Sequence, residues 1–569
     1  MKRVIKRRCV GDDEIGRFRH LHPVLRRIYA ARGVQRAEEL DYSLANLQRY
    51  HRLRGLDQAV AELLRLRDDP RPLIIVADFD ADGASSCALM WRGLRAMGWR
   101  NVQYVVPNRF AFGYGLSPEI VAEAAKRRPA GLLTVDNGIS SIEGVAAAKA
   151  QGMRVIITDH HLPGPRLPEA DAIVNPNQPG DPFPGKHLAG VGVAFYVLLA
   201  LRAALRSRYG ADTGPNLAAL ADLVALGTVA DVVPLDVTNR ILVNHGLRRI
   251  RQGLGCPGIH ALLDVGGRVA AASTVADLGF VVAPRLNAAG RLEDMSLGVE
   301  CLITDDPARA RILACRLHQL NEERKQLEWT MQQQALEYVE AIAPDHAEAG
   351  ICLFQRNWHQ GLIGLVAGRI KERFHRPVVA FAQVSTTELK GSARSISGLN
   401  IRDAIAEVAV EAPKVVQRFG GHAAAAGLSI HPERFDDFRE TFSAVVKRRL
   451  THEHLTHTLL TDGALSEAEI GLELAQILTD AGPWGQGFPE PLFDNEFEVV
   501  ERRIVGERHL KMKVKMPGGT RLHDAIAFNA LDHYAPQCRD RIHTAYRLEI
   551  NHFRGRTTPQ LRIEHMQPL

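Results

Sequence analysis

The sequence predicts an α/β protein in which a doubly wound parallel sheet is joined by a long helix to a second, smaller α/β unit, with a small β-barrel after it. Three observations carry this. Short β-type runs alternate with amphipathic helical runs from about residue 73 to 175. One unbroken helical pattern extends from Asp306 to about Ile342. Beyond residue 455 the pattern turns to short strands separated by turns.

The bulk properties set the frame. A chain of 569 residues is too long for one core and implies three or four domains. Apolar residues at 46% and charged residues at 24% are those of a soluble globular protein. No apolar run approaches the roughly 18–20 residues of a membrane span. The opening MKRVIKRRCVGDDE is basic without an apolar stretch behind it, so no signal peptide is expected. Seven scattered cysteines form no CxxC pair, which disfavours a zinc knuckle or disulfide framework and fits a reducing, cytoplasmic setting. A net charge of +6 permits a polyanionic partner without demanding one.

In chain order, residues 1–45 form an N-terminal segment and 46–304 the first domain. Its strands are LIIVA (Leu73–Ala77), NVQYVV (Asn101–Val106), GLLTV (Gly131–Val135) and MRVIIT (Met153–Thr158), with helical runs between them. The Pro-rich stretch Leu162–Lys186 reads as an irregular surface excursion. Two helical runs follow, VGVAFYVLLALRAALRSRYG and LAALADLVALGTVADVV. Asp306-Pro307 is a cap and first-turn proline opening the connecting helix, assigned to 305–345. The second α/β domain covers 346–450 and carries the Gly-rich GSARSISG and FGGHAAAAG. In the latter, the paired glycines suit a tight turn and the alanines close helix packing. The barrel occupies 455–569.

The chemistry starts at DFDADG (Asp78–Gly83), three carboxylates at alternate positions directly after an apolar strand. An EF-hand loop would need a bidentate Glu at its twelfth position, which here is Leu89, and a helix rather than a strand before it. A phosphatase with an aspartyl nucleophile would want a downstream lysine and acidic pair that are not evident. A solvated acidic turn remains the bland alternative. Two further strand ends weigh against it: GLLTV ends in Asp136, and VIIT ends in Asp159-His160-His161. In a doubly wound sheet such ends converge on one crevice. Asp231, in TVADVVPL, is a fourth wall. Carboxylates with imidazole suit Mn²⁺ or Mg²⁺, the nitrogen favouring Mn²⁺, and so many acids are more economically neutralised by two ions than by one.

DFDADG, VDNG, TDHH and ADVVPL, in this order, resemble the four motifs of the DHH phosphoesterase superfamily, and GSARS with FGGHAAAAG resembles its companion DHHA1 domain. PNRFAFGYGL, APRLNAAGRLEDM, WHQGLIG and GPWGQGFPEPLF are similar to the superfamily's single-stranded-DNA-specific exonuclease branch. The resemblance implies metal ligation by Asp80, Asp82, Asp136, His160 and Asp231, with Asp136 bridging. Asp78 and Asp159 would be ligands or would orient them, and His161 would meet the scissile phosphate or leaving group. Some members carry a further metal-binding histidine where this chain has Val76, leaving Asp78 to substitute.

For DNA, Arg109, Arg285 and Arg291 lie beside Gly- or Asn-containing turns, where a guanidinium can fork onto phosphate; an ordinary surface charge is the alternative. Asn287 is equally ambiguous, and Arg394 and His422 would face the metals from the second lobe. In HLKMKVKM, strand alternation puts His509, Lys511, Lys513 and Lys515 on one face. That face is a cationic stripe, which the resemblance implies belongs to an OB-fold that binds single strands, or else edge protection. Trp484, Phe488 and Tyr534 are stacking or core aromatics.

The resemblance implies a monomeric 5′→3′ exonuclease acting in DNA recombination and repair. It would thread single-stranded DNA between its lobes to two ions and release 5′-mononucleotides. Single-strand-binding protein and a RecQ-type helicase are the implied partners. The alternatives are a phosphoesterase for short oligonucleotides or cyclic dinucleotides, and a scaffold with a decayed site.

Overall fold

In the computed structural model, which describes residues 3–108, 115–342, 349–451, 453–506, 508–530, 540–553 and 555–569, the chain opens with a short strand, β1 (Arg3–Arg7). Five parallel strands follow: β2 (Leu73–Ala77), β3 (Val102–Val105), β4 (Gly131–Val135), β5 (Arg154–Thr158) and β6 (Ala172–Val174). They lie in the order β3-β2-β4-β5-β6. LIIVA and GLLTV are buried at every position, because helices cover both faces of a parallel sheet. On one face Ile74, Val76, Leu132, Val155 and Ile157 meet Ile120 and Val145. The helices Leu56–Leu66, Ala81–Ala96 and Gly190–Tyr209 pack on the other. Strand order reverses between β2 and β4, so their carboxyl ends flank the switch-point crevice where such sheets bind ligands.

Two expectations change here. The Pro-rich stretch is not wholly irregular: Ala172–Val174 pairs with β5 and extends the sheet. The helix Gly190–Tyr209 is long and apolar enough to cross a membrane, but 67% of that window is buried in the protein. It is a core helix whose apolar surface faces its neighbours.

The chain divides into two compact units, a larger one of Val10–Asn321 with Gln476–Glu490 and a smaller one of Met1–Cys9, Glu322–Ala475 and Pro491–Leu569. The boundary near 321 falls inside the helix Pro307–Ile342, whose first turn is capped by the Asp306 carboxylate accepting from Ala308 N at 2.9 Å.

The smaller unit contains a sheet of β7 (Ile351–Gln355), β8 (Val378–Gln383), β9 (Leu389–Arg394), β10 (Val416–Gly421) and β11 (Ala425–Ile430), in the order β10-β11-β9-β8-β7. Phe381, Leu428, Ile405 and Phe438 fill one side; Leu353, Trp358, Ile363 and Val366 fill the other. FGGHAAAAG is a hairpin that also packs against the helix Ile401–Glu411. His422 N donates to Ala425 O at 2.8 Å, and the carbonyls of Ala423 and Ala424 accept from Ile401 N and Ser395 N. The alanines are therefore small because the helix Ile401–Glu411 and the backbone leading into it pack close to them.

After β12 (His457–Thr461) comes a closed barrel of β13 (Phe493–Val505), β14 (His509–Lys515), β15 (His523–Ala527), β16 (Arg541–Phe553) and β17 (Arg556–Pro568), ordered β13-β14-β15-β17-β16. Leu510, Met512 and Val514 of β14 are buried, and the residues between them face outward. β14 is flanked on both sides, so edge protection is not the reason for its lysines. β1 pairs in parallel with β12, and the buried Asp494 carboxylate ties this pair to the barrel. It accepts from Arg7 Nη2 at 2.9 Å and Thr461 Oγ1 at 2.5 Å, and lies 3.2 Å from His543 Nε2.

Candidate metal centre

The acidic loop is shaped by the transition from β2 to the helix Ala81–Ala96. Asp80 is that helix's N-cap, its carboxylate accepting from Gly83 N at 2.9 Å. Asp82, in the first turn, is 1% exposed and accepts from Gly190 N at 2.7 Å and Val191 N at 3.0 Å. Asp78 ends the strand and is 5% exposed. Three acids at a helix N-terminus gain from the positive end of its dipole, which offsets part of their mutual repulsion.

Asp136 follows β4 with φ at +62°, a conformation unusual for a side-chain-bearing residue and found where function overrides local preference. Its N–H donates to Thr158 O at 3.0 Å, tying it to β5. A side chain at Gly190 would put its Cβ 2.5 Å from Asp136 Cβ, so only glycine lets the long core helix begin here. His160 Nε2 lies 3.1 Å from Asp136 Oδ1 and 3.4 Å from Asp231 Oδ2.

Among the described residues, potential ligand atoms fall into three groups, each mutually within 4.8 Å: Asp78, Asp80 and Asp136; Asp82, His160 and Asp231; and Asp136, His160 and His161. The first two are separate triads. Asp136 belongs to one and touches the histidine of the other. Asp159 stands apart, because its carboxylate is occupied. One oxygen accepts from His160 N at 2.7 Å and His161 N at 3.1 Å and lies 2.8 Å from His161 Nδ1. The other accepts from Ile139 N at 2.9 Å.

The electrostatics separate these acids further. Burial, then Asp82, Asp80, Asp78 and Asp231, pushes Asp136 well above the usual carboxylate range. Asp231 is raised by burial and then by Asp82 and Asp80, and Asp82 is raised to about 7 by burial and Asp80. Asp159 is also buried, but its hydrogen bond and charge interaction with His161 outweigh that and hold it low. Burial lowers the His161 imidazole, and Asp159 more than restores it, up to about 9. Carboxylates crowded in this way ionise together only when cations share the crevice. The donor set, oxygens with one or two imidazoles and no thiolate, fits Mn²⁺ or Mg²⁺.

The other candidate residues have varied settings within their own units. Asn287 Oδ1 accepts from Ala81 N at 2.8 Å, so it braces the acidic loop. Arg285 is 6% exposed, and its Nη1 donates to Val281 O at 2.6 Å. Arg291 lies in the last turn of the same helix, Ala283–Leu292. Arg394 and His422 occupy one end of the smaller unit's sheet, since Arg394 pairs with Ala425. Burial lowers the Arg394 guanidinium, and no carboxylate pairs with it among the described residues. Lys513 pairs with Asp524 at 3.0 Å and Lys515 with Glu498 at 2.9 Å, so the outward face of β14 is less cationic than its sequence implies. Trp484 and Phe488 stack on each other and on Tyr29 inside the larger unit, as core aromatics. Arg109 and Tyr534 lie outside the described residues.

Sequence reasoning missed the residues that hold the ligands. Asn177 Nδ2 donates to His160 O at 2.6 Å and Asn175 Nδ2 to His161 O at 2.9 Å. Both come from VNPNQP, whose Asx-Pro turns were the available signal. The N–H groups of Gly190 and Val191 on Asp82 left a fainter one, the glycine pair at a helix start.

Comparison with known proteins agrees with this geometry. The chain matches the DHH family, N-terminal domain, over residues 72–228, the DHHA1 domain over 347–448 and the RecJ OB domain over 461–565. It is 51% identical to the single-stranded-DNA-specific exonuclease RecJ of Dickeya dadantii, over 99% of both chains. The crystal structure of RecJ from Thermus thermophilus in complex with Mn²⁺ is similar at a TM-score of 0.83 and 29% identity, covering 100% of this chain and 79% of that one. The same protein in complex with Mg²⁺ is similar at a TM-score of 0.77 and 28% identity, covering 100% and 78%. Full-length similarity, three matching domains and an acidic crevice at the switch point lead to one conclusion: this chain belongs to the RecJ family of single-stranded-DNA-specific exonucleases.

Proposed function

We propose that the protein is a metal-dependent single-stranded-DNA exonuclease that removes 5′-mononucleotides in the 5′→3′ direction, with Mn²⁺ or Mg²⁺ as cofactor. The observation that carries this reading is the pair of ligand triads meeting at Asp136. Two ions about 3.5–4 Å apart, when bound, supply the charge that activates water and steadies the leaving oxygen of a phosphodiester.

The roles divide by environment. Asp78, Asp80 and Asp136 would hold one ion and Asp82, His160 and Asp231 the other, with Asp136 beside both through His160. Asp78 takes its place as a ligand because it lies in a triad, whereas Val76 is buried within β2 and has no donor. Asp159 orients the two histidines through their main chain and the His161 ring. His161, its Nδ1 held 2.8 Å from Asp159 Oδ1, would meet the scissile phosphate or the leaving group. Arg394 is the strongest candidate in the smaller unit for a phosphate contact, because its half-buried charge meets no carboxylate among the described residues. Arg109, Arg291, His422 and Lys511 are proposed as further DNA contacts, together with Arg285, Asn287, Lys513 and Lys515, which also bond within the protein.

The small-substrate alternative leaves the barrel without a use, since a dinucleotide needs no extended track. The deciding experiment is digestion of single-stranded DNA labelled separately at each end, with and without metal. Early release of the 5′ label that stops on chelation is expected; early release of the 3′ label would reverse the polarity. A cytoplasmic monomer working beside single-strand-binding protein and a RecQ-type helicase is the proposed setting. Equilibrium sedimentation and pairwise binding with the purified partners test it.

A further inference from the structure

The motif GPWGQGFPEPLF (Gly482–Phe493) has no part in the chemistry above, yet most of it lies in the larger unit, ahead of the barrel's first strand. There it meets the loop that follows Asp231. Leu235 N donates to Gln486 O at 2.7 Å. A Cβ at Gly485 would lie 2.6 Å from Leu235 Cδ1, so the buried Leu235 side chain packs directly on the Gly485 backbone. The Phe488 ring stacks on Trp484 at 5.1 Å and on Tyr29 at 6.2 Å, with the Arg240 guanidinium 4.2 Å from its centroid. The same Arg240 donates Nη1 to Leu235 O at 2.9 Å. Both polar groups of Leu235 are thus held, one by the motif and one by an arginine seated on it.

The loop needs this restraint. Val232, the residue after Asp231, has φ at +60°, a strained conformation for a β-branched side chain. Val232 is 62% exposed, so packing of its own side chain does not impose that geometry. The two flanks do. On one side Asp231 N donates to Gly227 O at 3.0 Å, ending the helix Ala221–Ala230. On the other, Leu235 is 4% exposed and fixed by the motif.

We propose that Gly482–Glu490 is a positioning clamp for the metal site, with Gly485, Phe488 and Arg240 setting where the Asp231 carboxylate sits relative to Asp82 and His160. The proposal rests on the reading of Asp231 as a metal ligand. It also makes the chain entering the barrel part of the support of a metal ligand.

The test is Mn²⁺ titration of the metal-stripped full-length protein, followed by electron paramagnetic resonance and with thermal unfolding in parallel. The proteins compared are the unsubstituted chain, Gly485→Ala, Phe488→Leu and Asp231→Asn. The clamp predicts that Gly485→Ala and Phe488→Leu weaken one of the two Mn²⁺ sites by about 10- to 100-fold, the range for residues that orient a ligand. Raising Mn²⁺ restores their kcat, with KM for single-stranded DNA unchanged, whereas Asp231→Asn is not restored. Unaltered Mn²⁺ affinity in Gly485→Ala beside a weakened Asp231→Asn overturns the clamp alone. Unaltered affinity in Asp231→Asn overturns the ligand reading and the clamp with it. Should Phe488→Leu fail to fold, Gly485→Ala decides, because it leaves the aromatic stack intact.

Discussion

Asp136 and Asp159 end neighbouring strands and are equally buried, but their carboxylates face different surroundings. Asp136 is surrounded by other acids, which raise its proton affinity. Asp159 is surrounded by hydrogen-bond donors, which lower it. Asp136→Ala should therefore abolish cleavage, by well over the roughly 100-fold typical of an orienting residue, while DNA binding measured by fluorescence anisotropy is largely retained. Asp159→Asn should cost only about 10- to 100-fold in kcat, because it disturbs the histidines and removes no ligand. Equal losses in the two variants would refute the division of roles. The acids themselves were legible in the sequence because each ends an apolar run, and strand ends converge in this fold. Which of them is occupied by hydrogen bonds was not legible. Ile139 N reaches Asp159 from a turn whose geometry no spacing reveals.

The strand β14 shows how far an element can be read in isolation. Its alternation was evident from period two alone, and the burial follows it. Its neighbours were not evident, and they supply Asp524 and Glu498 to two of its three lysines. Lys511→Ala should reduce the slope of log K against log salt for single-stranded DNA by about 0.7, one phosphate contact, with smaller changes for Lys513→Ala and Lys515→Ala. An unchanged slope in Lys511→Ala would remove β14 from the binding face. Strand β12 and the end of β17 carry a different load. His457 and His565 are both pushed down to about 4, first by burial and then by the Arg3 guanidinium. An unfolded histidine titrates near 6.5, so the unfolded chain binds more protons between about pH 6.5 and 4. Stability from these groups is complete above about pH 6.5 and is lost as pH falls toward 4. The urea midpoint should fall over that window, and replacing both histidines with glutamine should flatten the fall.

At the scale of the whole molecule, the chain passes between its two units four times, at 9/10, 321/322, 475/476 and 490/491. Only the passage through the long helix was legible, because unbroken periodicity is a local signal. The return at 476–490 depends on Tyr29 and Arg240 for its packing, and no local pattern announces partners so distant. The same holds for β1, which the sequence presents as part of a basic N-terminal segment and the structure as a strand of the smaller unit. Arg7→Ala should destabilise the protein by roughly 1 kcal/mol, the modest value reflecting an exposed guanidinium on a buried acid. Thermal unfolding with and without the substitution checks this; a loss no greater than for a control Lys6→Ala would remove β1 from the support of the barrel.

The register of β1 also carries a consequence for synthesis. Arg3 pairs with His457, so β1 finds its partner only after 454 further positions have been translated. At about 5–20 residues per second the wait is roughly 20–90 s. Through that interval a strand with basic residues at Arg3, Lys6 and Arg7 remains unpaired and solvated, its charge discouraging aggregation, while the larger unit can fold around its own parallel sheet.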